Sequence, residues 1–310
     1  NIIPAAQITL ELFSIDEKYI VLVEVPKGKD KPYQTNKNQF LIRVGSTNRI
    51  ATQQEIQRLF QNSGFFHFDS VAVEKSNIKD IDLNRLSQYF ENYSIDINHE
   101  NNLEQLLRNI DIIDSDSEKL TIAGNLVFGL RPEKFMPNAG LTIASFKGNE
   151  LSEDLLHYQK IDGTLPNQVD QALNTIKSIV STASYIEGLK RVNLYESYSD
   201  KLWREILVNA VVHRDYSITG SRIRILKYDD RIEFRSPGRL ANTVNLEKIK
   251  FGVSYSRNPV IVKFMENLRY IDQLGRGIPL VIKEISQKGG KIDFQEIGEE
   301  FVVIVYFPKV

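Results

Sequence analysis

A carboxylate and a carboxamide four residues apart are the side chains of this chain whose types and spacing best suit chemistry. If segment 199–215 is a helix, Glu205 and Asn209 lie one turn apart and point the same way. Such a carboxylate can align a water molecule beside an amide that ligates a hydrated magnesium ion. A Glu/Asn pair with this spacing is also common on helices that bind nothing. The pair alone therefore leaves both interpretations open.

The helix that must position this pair has signals of its own. Asp200 is the predicted N-cap, and an apolar stripe runs beside the polar line. The stripe consists of Leu202, Ile206 and Ala210. We therefore predict a helix over Asp200–Val212 that packs its apolar stripe on a core.

The composition limits the classes of function. The 310 residues carry a formal net charge of −1, so only a local basic patch could attract nucleic acid. There is no cysteine, which excludes disulfides and thiolate sites, and the four histidines have no zinc-site spacing. No apolar run approaches the roughly 18–20 residues of a membrane span, and no signal peptide is visible. We expect a cytoplasmic protein whose natural N-terminus lies upstream of Asn1.

Short strands and amphipathic helices are predicted ahead of this helix. Thr52 and Glu55 have the spacing of a capping box. The predicted strands are Gln7–Ile15, Lys18–Val25, Asn38–Val44, Thr121–Phe128 and Gly140–Phe146, and the predicted helices are Gln53–Phe60, Asp82–Tyr93, Asn101–Ile110 and Pro166–Ala183.

The last third alternates strands and helices. The predicted strands are Arg222–Tyr228, Arg231–Phe234, Lys291–Glu296 and Glu300–Phe307, and the predicted helices are Pro259–Asn267 and the segment from Gly275-Arg276-Gly277 to Ile285. This order predicts an α+β fold, in which helices cover one face of a mixed or antiparallel sheet.

Three segments of the last third share the order of a known set of motifs. They are Glu205-x-x-x-Asn209, Ser236-Pro237-Gly238 and Leu274-Gly275-Arg276-Gly277-Ile278. This order resembles the N box and the two glycine boxes of the GHKL ATPases, the histidine kinase-like group that includes gyrase B and MutL. Each segment alone has a commoner explanation, as a helix face or a turn.

The closer resemblance is to a divergent branch of bacterial transcriptional regulators and RecG-like, helicase-related proteins. In these proteins a Schlafen/Alba-type domain precedes a divergent GHKL domain. The resemblance rests on segments 209–217, 230–238, 254–259 and 275–278, with 32–56 similar to the back half of the Schlafen/Alba-type domain. It implies a partial Schlafen/Alba-type α/β module over 1–75, a helical connector over 76–120, and a GHKL-like α/β sandwich that binds ATP over 121–310.

The resemblance also implies roles for single residues, with ATP and Mg²⁺ as cofactors. Glu205 would be the catalytic base, and Asn209 would ligate the metal. The implied nucleotide-binding residues are Asn209, Ser236, Gly238, Ser254, Arg257, Asn258, Gly275, Arg276 and Gly277. The segment Arg239–Tyr270 would form the ATP lid. Active members have an aspartate for the adenine amino group where this chain has Ser236.

The basic residues of the N-terminal strands are the candidates for contact with DNA or RNA. They are Lys29, Lys31, Arg43 and Arg49. Basic residues at a hairpin tip or on a surface strand are also ordinary solvated side chains. The chain has no Gly-x-x-x-x-Gly-Lys-Ser/Thr segment, so a helicase motor is not expected.

Together these observations predict a cytoplasmic bacterial transcriptional regulator without a membrane partner. ATP with magnesium would act as a conformational switch with slow or no hydrolysis, so the chain is at most a weak ATPase. The expected partners are the nucleotide, DNA or RNA at the N-terminal module, and a second copy in a homodimer. The alternative is a DNA- or RNA-binding module whose GHKL-like half binds no nucleotide and serves dimerisation or packing.

Overall fold

The computed structural model describes most of the chain. The described residues are 2–15, 18–26, 28, 31–63, 67–97, 100, 102–181, 184–187, 190–193, 198–240, 246–252, 255–271 and 276–308. The chain divides into two compact units, of which the first comprises residues 1–66 with 241–243 and the second comprises 67–240 with 244–310. The predicted domain boundaries at 75 and 120 stay a prediction.

The first unit consists of antiparallel strand pairs and one helix. Its elements are β1 (Ile2–Ile3), β2 (Thr9–Ile15), β3 (Lys18–Glu24), β4 (Gln34–Thr35), β5 (Leu41–Val44), β6 (Thr47–Ile50) and α1 (Gln53–Ser63). β1 pairs with β4, β2 with β3 and β5 with β6. The predicted capping box is confirmed, since the Thr52 N–H donates to Glu55 Oε2 at 2.8 Å and the Glu55 N–H donates to Thr52 Oγ1 at 3.4 Å.

The second unit consists of helices and one large sheet. Its helices are α2 (Leu83–Glu91), α3 (Leu103–Asn109), α4 (Ile122–Phe128), α5 (Leu165–Ser181), α6 (Asp200–Val212), α7 (Leu246–Lys250), α8 (Pro259–Asn267) and α9 (Gly277–Gln287). Its strands are β7 (Leu141–Phe146), β8 (Leu155–Ile161), β9 (Ser184–Glu187), β10 (Lys190–Asn193), β11 (Ile223–Lys227), β12 (Arg231–Pro237), β13 (Lys291–Ile297) and β14 (Glu300–Tyr306).

The sheet has six strands in the order β13-β14-β12-β11-β7-β8, and β9 pairs separately with β10. β11 and β7 are parallel, whereas the other neighbours in the six-stranded sheet are antiparallel. This mixed sheet with its helices confirms the predicted α+β class. On β12, Ile232 and Phe234 lie in the core together with Trp203 of α6. α2 and α3, which were predicted as a connector, contribute the buried residues Leu86 and Leu107 to the same core.

The structure corrects the prediction at several elements. Thr121–Phe128 is not a strand, because Thr121 accepts the Gly124 N–H at 2.9 Å and caps the fully buried helix α4. β8 was not predicted. The N-cap of α6 is Ser199 rather than Asp200. Ser236 and Pro237 continue β12 instead of forming a turn, and they pair with Phe301 and Glu300 of β14.

Candidate functional site

Helix α6 is held at its N-terminus by α9. The Ser199 hydroxyl oxygen accepts the Leu202 N–H at 3.2 Å, as an N-cap does. The carboxylate of Glu284 on α9 in turn accepts the Ser199 N–H at 2.6 Å and its hydroxyl at 2.8 Å. These bonds join the two helices and set the relative position of the polar side chains between them.

Glu205 and Asn209 touch each other on α6, in the arrangement that their spacing predicts. The Asn209 side-chain nitrogen donates to Glu205 Oε1 at 2.9 Å and to the Glu205 carbonyl oxygen at 2.7 Å. Both side chains are partly exposed. Because the amide nitrogen makes both bonds, the amide oxygen is the atom of Asn209 that suits a cation.

The Glu205 carboxylate also lies against the first residue of α9. A Cβ added to Gly277 would lie 1.7 Å from Glu205 Oε1 and 2.1 Å from its carboxyl carbon. Any side chain at position 277 would therefore displace the carboxylate. The N-terminus of a helix carries partial positive charge and favours an anion there. Two of the three predicted motifs are thus in contact, although Gly275 lies outside the described residues and Arg276 is exposed.

Ser236 lies under the last turn of α6 and is buried. Its hydroxyl donates to the Ala210 carbonyl oxygen at 2.8 Å. This bond ties β12 to α6. The predicted contact of Ser236 with a nucleotide stays a prediction, and the hydroxyl proton is already donated to the protein itself.

Asn258 caps the C-terminus of the same helix. The side chain is 0% exposed and donates to the carbonyl oxygens of Val212 and Arg214, both at 2.8 Å. Carbonyl groups at the end of a helix have no partner within the helix, so a buried side-chain donor stabilises them. Asn258 thus acts as a cap in this structure. Its predicted role in nucleotide binding stays a prediction.

Gly238 and Arg257 meet beside this cap. Gly238 has a φ of +117°, and a Cβ there would lie 2.3 Å from Arg257 Nη1 and 2.6 Å from the Cβ of Asp215. Arg257 Nη1 lies 3.4 Å from Asp215 Oδ2, and both side chains are buried. The glycine therefore gives space to a buried ion pair, while Ser254 lies outside the described residues.

Three residues around this end of α6 were not assigned functional roles from the sequence. Arg214 is buried, and Nη2 of its guanidinium donates to the carbonyl oxygens of Ile218 at 2.9 Å and Ser221 at 2.8 Å. Burial, with a further contribution from the charge of Arg257, lowers the pKa of His213 to about 4. The segment His213-Arg214-Asp215 was recognisable as a helix end, but its sequence does not show that Arg214 and Asp215 are buried.

Asp69 is the third of these residues, and it caps α8 from far away in the chain. Its Oδ2 accepts the N–H groups of Val260 at 2.8 Å and Ile261 at 3.0 Å. Burial raises the pKa of the Asp69 carboxyl group to about 6, although these two hydrogen bonds oppose the shift. A capping residue some 190 positions from its helix gives no signal in the sequence.

The basic residues of the first unit are partly engaged already. Arg49 forms two bonds with the carboxylate of Glu55, at 2.9 and 2.7 Å. Arg43 donates to the Gly45 carbonyl oxygen at 3.0 Å. Lys31 is partly buried, and Lys29 lies outside the described residues. The role of these four residues in binding nucleic acid stays a prediction.

The described part of the chain has neither a helix suited to a membrane nor a cluster of metal-binding side chains. No helix there is both long and apolar enough to cross a membrane. Among the same residues no group of three or more His, Asp or Glu side chains is arranged to hold a metal ion.

Two family models match separate parts of the chain. The model "Schlafen, AlbA_2" matches residues 1–52. The model "Putative ATP-dependent DNA helicase recG C-terminal", of the HATPase_c_4 type, matches residues 220–305. The predicted resemblance to these two kinds of domain, in this order, is confirmed. Glu205 and Asn209 precede the second match, whereas Ser236, Gly238 and Gly277 lie within it.

The chain resembles solved structures in its fold, and one of them can be described in detail. It is the crystal structure of a structural-genomics protein from Corynebacterium diphtheriae, with a TM-score of 0.59 and 18% sequence identity. The similarity covers 97% of this chain and 60% of that chain, so this chain spans about three-fifths of the length of the other protein. At this identity the likeness concerns the fold alone. No curated protein matches the chain.

Proposed function

We propose that this chain is a nucleotide-responsive, DNA-related regulator, whose second unit binds ATP with magnesium in the manner of a divergent GHKL domain. The observation that carries the proposal is the position of the Glu205 carboxylate, between the Asn209 amide and the first residue of α9. This arrangement combines a base, a magnesium-type oxygen donor and a helix N-terminus within one site. The match of residues 220–305 to an ATPase-like family supports it.

Each residue of the site has a distinct part in this proposal. The amide oxygen of Asn209 would hold a hydrated magnesium ion, which when bound would screen the charge of the phosphates. The first N–H groups of α9 would donate to a phosphate oxygen. Glu205 would orient the attacking water. Since the Glu205 carboxylate itself lies at the end of α9, it would have to turn away from a phosphate, and we expect hydrolysis to be slow.

The base of the nucleotide is the least determined part of the proposal. Ser236 has no charge, and its hydroxyl proton is donated to Ala210, so only its oxygen lone pairs could accept from an adenine amino group. We therefore expect modest discrimination between ATP and GTP. A switch that responds to a triphosphate does not require tight recognition of the base.

Isothermal titration calorimetry with ATP, ADP and GTP, with and without magnesium, tests this proposal. We expect magnesium-dependent binding of ATP to the wild type and its loss in Asn209→Ala. The matched control is Asn109→Ala, because Asn109 forms a similar i,i+4 pair with Gln105 on the exposed face of α3, at 2.9 Å. If the wild type bound none of these nucleotides, the proposal would be refuted. If Glu205→Gln binds ATP but loses turnover, Glu205 is the base.

The second candidate is a nucleic-acid-binding protein whose ATPase-like half binds no nucleotide. The engagement of Ser236, Arg257 and Asn258 with the chain itself favours this candidate, since these side chains stabilise the fold without a ligand. Nucleic acid would then bind at the first unit, with an affinity that falls steeply with salt. Charge reversal at Lys29 and Lys31 should weaken binding to every sequence. Unchanged binding would show that these two lysines do not contact the nucleic acid.

A further inference from the structure

Arg204 of α6 is a partly buried cation that lacks an acceptor within the described part of the chain. Its guanidinium lies over the ring of Tyr270, 5.5 Å from the ring centroid, and it forms no hydrogen bond or ion pair with the described residues. Arg214 and Arg257, by contrast, are bound to carbonyl oxygens or to a carboxylate. A guanidinium has five N–H donors, so Arg204 has its full capacity to bind an anion.

The accessible side chains of α6 lie close together. Between residues 201 and 212 only four side chains are not buried, namely Lys201, Arg204, Glu205 and Asn209. Three of them follow one another with the i, i+4 spacing, and Arg204 directly precedes Glu205 in the chain. The guanidinium therefore leaves the helix beside the carboxylate that touches α9.

Two carboxylates of this region already have donors of their own. Glu205 accepts the Asn209 side-chain nitrogen at 2.9 Å, and Asp170 of α5 accepts the Tyr270 hydroxyl at 2.6 Å. Arg204 keeps only the face of the Tyr270 ring. An aromatic ring attracts a cation more weakly than a phosphate group, which a guanidinium can bind through two parallel hydrogen bonds.

We infer that Arg204 binds the terminal phosphate of the nucleotide and so distinguishes a triphosphate from a diphosphate. The inference rests on the proposed function, which places the phosphates at the first turn of α9 and magnesium at Asn209. In that proposal Glu205 orients the water that attacks the terminal phosphate. The guanidinium next to Glu205 is therefore the cation that meets this phosphate.

The same contact gives the proposed switch a trigger. Tyr270 is the last residue of the segment predicted as the ATP lid, and in this structure its ring holds Arg204. A guanidinium that turns to a phosphate leaves the ring, so the terminal phosphate releases this end of the segment from α6. A diphosphate lacks that group and leaves the contact in place.

Isothermal titration calorimetry of the full 310-residue chain with ATP and with ADP, both with magnesium, tests the inference. Arg204→Gln should bind ATP at least about tenfold more weakly and ADP within about twofold of the wild type, because only ATP carries the phosphate that Arg204 contacts. Arg204→Lys keeps the charge without the paired donors, so its ATP affinity should lie between the two. The matched control is Lys201→Gln, which removes a charge from the same accessible face and should leave both affinities within about twofold.

Tyr270→Leu separates a phosphate ligand from a structural contact. It removes the ring that competes for the guanidinium, so ATP affinity should rise about two- to fivefold while ADP affinity stays the same. If Arg204 served only to hold Tyr270, Tyr270→Leu would lose ATP affinity as Arg204→Gln does. That result would overturn the inference.

The remaining outcomes separate this inference from the proposed function. If the wild type binds both nucleotides but Arg204→Gln weakens ATP and ADP equally, or weakens neither, this inference alone is overturned. If the wild type binds neither nucleotide, the proposed function is overturned as well. Because Arg204 forms no hydrogen bond with the described residues, we expect its variants to fold, which circular dichroism checks.

Discussion

Two groups of polar residues lie at helix α6, and their surroundings differ. Glu205 and Asn209, in its middle, are partly exposed and bind each other beside the first turn of α9. At its C-terminus, Ser236 and Asn258 are buried and donate to carbonyl oxygens of its last turn and of the segment that follows it. All four residues belong to the segments that carry the resemblance to the GHKL ATPases and their divergent branch.

The difference shows that one set of motifs can contain two kinds of residue. Some are accessible to a ligand, and others stabilise the fold around the site. A buried polar side chain is costly unless it is hydrogen-bonded, so Ser236 and Asn258 stabilise the fold through bonds they already make. Partly exposed groups such as Glu205 and Asn209 can exchange their partners at smaller cost. The following variants test this division.

Removing the buried cap should have the largest effect. Asn258→Ala leaves two buried carbonyl groups, those of Val212 and Arg214, without their donor. We expect the free energy of unfolding to fall by about 3 kcal/mol. Urea denaturation followed by circular dichroism measures it. The exposed control Asn109→Ala should cost less than about 0.5 kcal/mol, and a similar small loss in Asn258→Ala would place Asn258 outside the buried framework.

The helix end also predicts a dependence of stability on pH. Because the pKa of His213 is lowered from 6.5 to about 4 in the folded chain, the unfolded chain binds a proton first as the pH falls. The stabilisation that comes from keeping the His213 imidazole neutral is fully present above pH 6.5 and falls by about 2 kcal/mol toward pH 4, a figure that allows for the partial exposure of this side chain.

The variant His213→Gln isolates this effect in chemical denaturation at several pH values. Asp69, whose pKa is raised to about 6, titrates in the same range with the opposite sign, but it cancels when the two proteins are compared. The stability of the wild type relative to His213→Gln should be constant above pH 6.5 and decline below it. Parallel curves down to pH 4 would show that His213 takes up its proton freely in the folded chain.

The contact between α6 and α9 should have a smaller effect. Gly277→Ala places a methyl group where the Glu205 carboxylate lies, but this flexible side chain can turn away, so we expect a loss of about 1 kcal/mol. In the background Glu205→Ala the same change should cost nothing. Equal losses in both backgrounds, measured by thermal and urea unfolding, would mean that the two residues are not coupled.

The smallest effect concerns the first unit, where the same division can be applied. Arg49 is held by Glu55 through two bonds, which also lower the pKa of Glu55 to about 2. Arg49→Gln should therefore change affinity for a labelled DNA duplex less than about twofold, with the same salt dependence. Fluorescence anisotropy at two salt concentrations measures this. A large loss with a shallower salt slope would show that Arg49 contacts phosphate.

Much of the fold was predictable because its signals are local. α6 was predicted with its observed bounds, since its apolar stripe repeats with the helical period. The prediction of a strand over Thr121–Phe128 was wrong, because a short and almost wholly apolar run has no periodicity that distinguishes a strand from a buried helix. β8 was missed because Leu155–Ile161 mixes exposed apolar and polar residues without the alternation of a half-buried strand.

The site was predictable only in part, for a related reason. The spacing of Glu205 and Asn209 determines that they touch, because both lie on one helix. The direction of the Ser236 hydroxyl depends instead on how β12 packs under α6, and the cap that Asp69 provides depends on a contact across most of the chain. Such long-range contacts are set by packing, which a single sequence does not reveal.

The affinity of Asn209→Ala and Ser236→Ala for ATP with magnesium, titrated beside the wild type, tests the central claim most directly. The account predicts that Asn209→Ala loses magnesium-dependent binding, whereas Ser236→Ala, if it folds, keeps its affinity within about threefold, because its hydroxyl serves the fold. The opposite result, with binding lost in Ser236→Ala and unchanged in Asn209→Ala, would contradict the account.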